Sequence, residues 1–297
     1  MFSFILIIVC AFFFPGIINR TRSIVSGRKG PKILQPVHNI ALLLRKGSVF
    51  STSSSIITQF APIVYIASTV VAALLVPFGN YSALISFDGD FIVFVYLLAL
   101  GRIALILEAM DAASSFEGMG ASREALYSML VEPAFFILMG AFALITGYTS
   151  FEAVFTYFQT GGLNGTVLGI LAAFVLFGIM IVETCRVPVD DPRTHLELTM
   201  IHEVMILDNS GFDLGLIHIT IYLKFTIFSA LIAACLIPTE IGFVWYLSLY
   251  FIIEIACAIV IGFLESFRAR YRLPRNPSYM ITITAMAFVA LITAAVM

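Results

Sequence analysis

Long apolar stretches alternating with polar connections dominate the chain, over residues of approximately 1–18, 54–76, 91–107, 133–148, 166–182, 215–237, 242–264 and 277–297. Each is near the ~20 residues that a helix needs to cross a ~30 Å hydrocarbon layer. The pattern predicts an all-α integral membrane protein with eight transmembrane helices. A shorter apolar run, Ile40-Ala41-Leu42-Leu43-Leu44, follows Gly30-Pro31 and Leu34-Gln35-Pro36 and ends in Arg45-Lys46. It reads as a turn leading into an interfacial helix within the first connection, with simple headgroup anchoring by the basic residues as the competing reading. No low-complexity linker or internal repeat interrupts the series, so residues 1–297 are expected to form one polytopic domain. The spans do not divide into two related halves, which weakens an inverted-repeat transporter.

Charge gives this pattern an orientation. Of the 16 Lys and Arg residues, all but Arg102 and Lys224 fall in the odd-numbered connections. These hold Arg20, Arg22, Arg28, Lys29, Lys32, Arg45 and Lys46, then Arg123, then Arg186 and Arg193, then Arg268, Arg270, Arg272 and Arg275; the even connections hold none. Cationic loops stay on the cytoplasmic side, so both termini are expected outside. Asp88, Asp90, Glu152 and Glu240 then become the acids of the outer face. The first span has no positive segment before its apolar run, and its charges come afterwards at Arg20 and Arg22; it is expected to be a retained helix rather than a signal peptide.

Composition agrees with a bilayer protein: 61% hydrophobic and 11% charged residues in 297 are more apolar surface than a soluble core could hide. The net charge of -2 says little about partners, and none of the pattern points to nucleic acid. Cys10, Cys235 and Cys257 lie in predicted spans and Cys185 stands alone at a cytoplasmic edge, so no iron–sulfur, zinc or disulfide framework is expected in this chain. His202-Glu203 lacks the second histidine of H-E-x-x-H, and neither a glycine-rich phosphate loop nor G-x-S-x-G occurs. No metal site and no self-sufficient catalytic centre is predicted.

The polar residues inside spans carry more information, because a charge in hydrocarbon costs at least ~2.5 kcal/mol and needs a partner or a wetted cavity. Arg102 lies in span three with Glu108 and Asp111 beyond it, Glu132 opens span four, Glu183 closes span five, Lys224 is about midway through span six, and Glu254 and Glu265 lie in or near span seven. Buried carboxylates of this kind can relay protons. Structural pairing is the plain alternative: Arg102 with Glu108, Lys224 with Glu254, and Glu265 with Arg268 or Arg270. The connection after Glu183 also holds Asp190, Asp191, Glu197, Glu203, Asp208, Asp213, His195 and His202. Asp190-Asp191-Pro192 looks like a helix start, and a helix from there to about Leu207 would gather His195, Thr199, His202 and Glu203 near one stripe, with Leu196, Met200, Val204 and Leu207 near another.

Three phrases, in this order, resemble the membrane subunit that joins the peripheral arm to the proton-pumping arm in respiratory complex I and in energy-converting nickel–iron hydrogenases. They are R-x-G-P with L-Q-P from Arg28 to Pro36, FEGMGASRE from Phe116 to Glu124 with Glu132 following, and E-T-x-R-x-P-V-D-D-P from Glu183 to Pro192. The likeness covers all eight spans and is nearest to the formate hydrogenlyase and hydrogenase-four type. It implies a prokaryotic cytoplasmic-membrane anchor with no cofactor of its own. Such a subunit docks hydrogenase-like large and small subunits that hold iron–sulfur clusters, with a nickel–iron or quinone site, and contacts antiporter-like membrane subunits. By the resemblance, Glu132 and Glu183 match acids of the proton path and Arg186 a basic residue facing the redox site. Together with the residue-level reading, the expected proton path is Glu108, Glu132, Glu183, Asp190, Glu197, Glu203, Lys224 and Glu254. The expected docking face is Arg28, Gly30, Pro31, Gln35, Pro36, Arg123, Arg186, Asp191 and His195.

Departures from the complex I pattern move the chain toward the hydrogenase type. Arg193 and His195 stand where glutamates are usual before Glu197, Asn39 replaces an acid after L-Q-P, and the tract from His202 to Asn209 is longer. Asn39 cannot carry a proton. A quinone-site subunit of a quinone oxidoreductase is the alternative, marked by a lipid-length cavity near Arg28–Pro36 lined by the loop after Glu183. A stand-alone secondary transporter, using Arg102, Lys224 and Glu254 as a midplane site, is the third reading.

Overall fold

The computed structural model describes residues 2–79, 82–160, 162–191, 199–238 and 241–297. Among the described residues it is all-helical, in the order α1 (Phe2–Val25), α2 (Gln35–Leu43), α3 (Ile56–Leu74), α4 (Asp90–Asp111), α5 (Ser115–Thr146), α6 (Phe151–Thr160), α7 (Gly162–Glu183), α8 (His202–Met205), α9 (Gly211–Leu236), α10 (Phe243–Phe267) and α11 (Asn276–Val296). Eight of them, α1, α3, α4, α5, α7, α9, α10 and α11, are long and apolar enough to span a membrane. The expected short helix after the first span is α2, with Pro36 in its first turn, where a missing N–H costs nothing, and Pro36 and Ile40 turned inward.

α9 is the axis of the bundle. Its apolar window is 83% buried, against 28% for α11, and it packs on α1, α2, α3, α7 and α10. That enclosure is what lets it carry Thr220, Lys224, Thr226 and Ser229 without exposing them to lipid. Around it, α3 pairs with α4, α1 with α10, and α11 with α5 and α7. Without a hydrophobic force between lipid-solvated helices, close approach depends on small residues. A β-carbon at Gly262 of α10 would stand 2.8 Å from Thr21 of α1, and one at Gly101 of α4 would stand 2.5 Å from the Ser68 hydroxyl of α3. Gly211 starts α9 at φ +54, a left-handed conformation, with the Gly47 carbonyl packed against its α-carbon.

Three expectations are corrected. The helix that holds the fourth apolar stretch begins at Ser115, well before Pro133; its first half carries Glu117, Arg123 and Glu124, which lower hydropathy without weakening the helix. α6 was not foreseen: it is short and amphipathic, and it buries Phe151, Phe155 and Phe158, while the Phe151 N–H donates to Asp90 Oδ1 at 2.9 Å. Within 199–207, the part of the expected 192–207 helix that is described, only α8 is helical. The cause is local: the Asp190 carboxylate accepts the N–H groups of Ile201 (3.2 Å) and His202 (3.0 Å), starting the helix there. Pro192, Arg193, His195, Leu196 and Glu197 lie outside the described residues, as does Glu240.

Candidate functional site

Five charged residues, Arg102, Glu124, Glu132, Glu183 and Lys224, converge where α4, α5, α7 and α9 meet. α7 ends at Glu183, and its carboxylate is shared between two cations: Arg102 of α4 donates through Nη2 to Oε1, and Lys224 of α9 donates through Nζ to Oε2 at 3.0 Å. Arg102 also reaches two acids of α5, Glu132 at 3.4 Å and Glu124 at 3.7 Å. Lys224 completes its surroundings with the Tyr65 ring of α3, whose centroid is 4.9 Å from Nζ. Lys224 is 2% exposed and Arg102 7%, so removing either cation's partners would leave a charge in a low-dielectric interior. The Glu132 side chain is 37% exposed and opens the cluster to the surface. Three carboxylates and two cations thus form a continuous line from that opening to the middle of α9.

This arrangement replaces the pairs expected from the sequence. Glu108 does not meet Arg102; it is buried, with Asn209 and the acids Asp213, Glu117 and Asp111 around it. Glu254 does not meet Lys224; its Oε2 accepts from the Ser229 hydroxyl at 2.6 Å. Glu265 does not turn to Arg268 or Arg270 but accepts from Arg186 at 3.0 Å and from Arg22 at 3.5 Å. Arg102, Lys224 and Glu254 therefore do not share a midplane site.

A second network holds the loop after Glu183. Asp190 meets Arg270 at 3.5 Å in addition to the Ile201 and His202 N–H groups. The Asn276 amide donates to the Val189 carbonyl at 3.0 Å, and the Tyr271 N–H donates to that of Pro188 at 2.9 Å. Arg123 donates to the Met200 carbonyl at 2.7 Å. Burial pushes the Asp190 carboxyl up from the usual range, against the pull of Arg270. Burial, reinforced by Asp190 and opposed by Arg186, raises Glu203 to about 7. Burial, with the Lys224 cation and His218 nearby, lowers His202 to about 3. His202 is therefore a neutral polar group between the loop and the Lys224 end of the first cluster.

Of the expected proton-path residues, the structure joins Glu132, Glu183 and Lys224 directly, places Asp190 and Glu203 in the adjoining loop, and sets Glu108 and Glu254 apart; Glu197 is not among the described residues. Of the expected docking residues, Arg28, Pro31 and Gln35 are exposed, Gly30, Arg123 and Asp191 half-buried, and Pro36 and Arg186 buried; His195 is not described. Glu124, Tyr65, Arg22 and Arg270 were missed. Glu124 had a signal, since it ends the FEGMGASRE phrase and precedes Glu132 by about two helical turns. A groove of about 1040 Å³ runs between α1 and α2, lined by residues including Phe13, Arg20, Ile33, Gln35 and Leu42; its lining comes from those helices and their connection. Among the described residues no His, Cys, Asp and Glu group is placed to hold a metal, and the four cysteines are free and buried.

Comparison with known proteins agrees with this geometry. The pattern of a family described as NADH dehydrogenase matches residues 1–296. The chain is 31% identical to hydrogenase-4 component C of Escherichia coli K12 over 225 residues, 76% of this chain and 70% of that protein. It is 25% identical to formate hydrogenlyase subunit 4 of the same organism over 285 residues, covering 94% and 92%. A chain of the membrane-bound sulfane sulfur reductase, an archaeal respiratory membrane complex, has the same fold, with a TM-score of 0.83 over 99% of this chain and 98% of that one at 21% identity.

Proposed function

Because this chain belongs to the NADH dehydrogenase family of complex I-like membrane subunits, we propose that it is the membrane-anchor and proton-coupling subunit of a hydrogenase-type redox complex. In this reading the face formed by the first and third cytoplasmic loops receives hydrogenase-like large and small subunits carrying iron–sulfur clusters, with a nickel–iron centre in the large one. Antiporter-like subunits adjoin it in the prokaryotic cytoplasmic membrane, and both termini lie outside.

The observation that carries the proposal is the Glu183 carboxylate held between Arg102 and Lys224, at the foot of the loop that bears Arg186 and Asp190. A change of charge in a docked partner alters the potential at that loop. The response available to this chain is a shift in how the two cations divide Glu183, Glu124 and Glu132, with a proton entering or leaving by the exposed Glu132. Two sites linked in this way exchange a coupling free energy of typically ~1–3 kcal/mol. The test is Glu183→Gln in the assembled complex: electron transfer continues, while the proton movement linked to it, read with a pH-sensitive dye in sealed vesicles, is lost. Proton movement at the normal ratio in an assembled Glu183→Gln complex would remove Glu183 from the path.

The groove between α1 and α2 lies where a quinone-site subunit would have its cavity, near Arg28–Pro36, but its lining takes nothing from the loop after Glu183, so it favours that second reading only in part. Its apolar walls with Arg20, Lys32 and His38 at hand suit a long-chain amphiphile. Nickel and iron measured on the complex purified through this chain separate the two: nickel with abundant iron fits the hydrogenase type, and iron without nickel fits the quinone type.

A further inference from the structure

α7, α10 and α11 enclose a separate groove of about 400 Å³. Its shaft is apolar, built on Phe174, Phe177, Ile283 and Met286, and its mouth is formed by Arg268, Tyr271 and Tyr279 beside Pro188. α10 and α11 are the least covered spans of the bundle, with 33% and 28% of their apolar windows buried, so the groove faces the surroundings of the protein rather than its interior. Water in the shaft would find almost no polar partner, and hydrocarbon is the medium that fills it at this depth.

The mouth has different chemistry. The Arg268 guanidinium donates to the Tyr271 hydroxyl at 3.2 Å. It has no carboxylate partner among the described residues, whereas its neighbour Arg270 is paired with Asp190. Arg272 is exposed beside it. The groove therefore ends in an uncompensated positive charge, with Tyr271 and Tyr279 rings stacked edge to face at 6.3 Å. Aromatic groups with a cation at the end of a membrane-spanning face are the setting of a lipid headgroup.

We propose that this groove binds one anionic phospholipid, its acyl chain lying along α7 between α10 and α11 and its phosphate on Arg268 and Tyr271. The lipid bears on the candidate site through the backbone: the Tyr271 N–H is bonded to the Pro188 carbonyl at 2.9 Å, so the bound headgroup braces the loop between Glu183 and Asp191.

The test is native mass spectrometry of the complex purified in mild detergent, after delipidation and addition of phosphatidylglycerol or phosphatidylethanolamine. The expected result is one phosphatidylglycerol retained per copy of this chain, in preference to phosphatidylethanolamine. Arg268→Gln, which changes an exposed side chain, should lower that preference about fivefold, the equivalent of ~1 kcal/mol for one basic residue at the membrane surface. Thr282→Trp, at an exposed position lining the groove, should abolish retention of both lipids while leaving the complex assembled. Equal retention of the two lipids by the unaltered complex, unchanged retention in Thr282→Trp, or a photoreactive probe at position 282 that captures a protein subunit instead of lipid would each overturn the proposal.

Discussion

Replacing Glu183 by Gln keeps the volume at the end of α7 and removes one negative charge from between two cations. The structure predicts that the loss is unequal. Arg102 retains Glu132 at 3.4 Å and Glu124 at 3.7 Å, whereas Lys224, 2% exposed, is left with the face of Tyr65 at 4.9 Å and the more distant charge of Glu124. Breaking a buried pair by removing one partner costs ~3–5 kcal/mol, chiefly the desolvation of the partner left behind, and the Tyr65 contact that Lys224 keeps holds the cost to the lower end of that range. A net loss of about 3 kcal/mol is expected for Glu183→Gln, nearly all of it on Lys224. Removing that second charge should then restore stability: Glu183→Gln with Lys224→Met should be about 2 kcal/mol less destabilised than Glu183→Gln alone, because no cation remains unpaired in the bundle. Thermal unfolding of the purified protein in detergent, followed by far-ultraviolet circular dichroism, orders the variants. The reasoning fails if the double variant melts at or below the single one, since Lys224 would then have a partner other than Glu183.

Two more predictions concern the loop network. Glu203 has a folded value of about 7 against its ordinary 4.5, so the native state holds more protons than the unfolded chain between these values, and Glu203 makes stability fall as pH rises through that window. The melting temperature of Glu203→Gln relative to the unaltered protein should therefore climb from pH 4.5 to pH 7, and a pH-independent difference would refute the assignment. His202 acts with the opposite sign, losing stability as pH drops from 6.5 toward about 3, and it cancels in that comparison. Glu265→Gln should destabilise by ~3 kcal/mol or more because it strands the buried Arg186, while Arg22→Gln, whose side chain is 25% exposed and 3.5 Å from Glu265, should cost under about 1 kcal/mol; equal effects in chemical or thermal denaturation would place the pair in the wrong order.

The spans and α2 could be read from the chain because hydropathy over some twenty residues is set by the bilayer and owes nothing to neighbours. The same measure hid the first half of α5, where Glu117, Arg123 and Glu124 interrupt the apolar run although the helix continues through them. Pairing was illegible for a different reason. Sequence offers Arg102 with the nearby Glu108 and Lys224 with Glu254 of the next span, but the pairs that form are others: Glu183 and Lys224 are 41 positions apart, and Arg22 and Glu265 are 243. Only the packing order of the helices decides such meetings. Asp190 shows how a distant side chain sets a helix start, since its carboxylate collects the N–H groups of Ile201 and His202, 11 and 12 positions away, where α8 begins.

The length of α5 has a mechanical consequence. At 32 residues it is about 48 Å long, well beyond the ~30 Å of hydrocarbon, and the excess carries the FEGMGASRE segment as rigid rod rather than slack loop. Glu124 and Glu132 ride on that same helix ahead of Pro133, so the two acids that face Arg102 share one support with the segment that packs on α8.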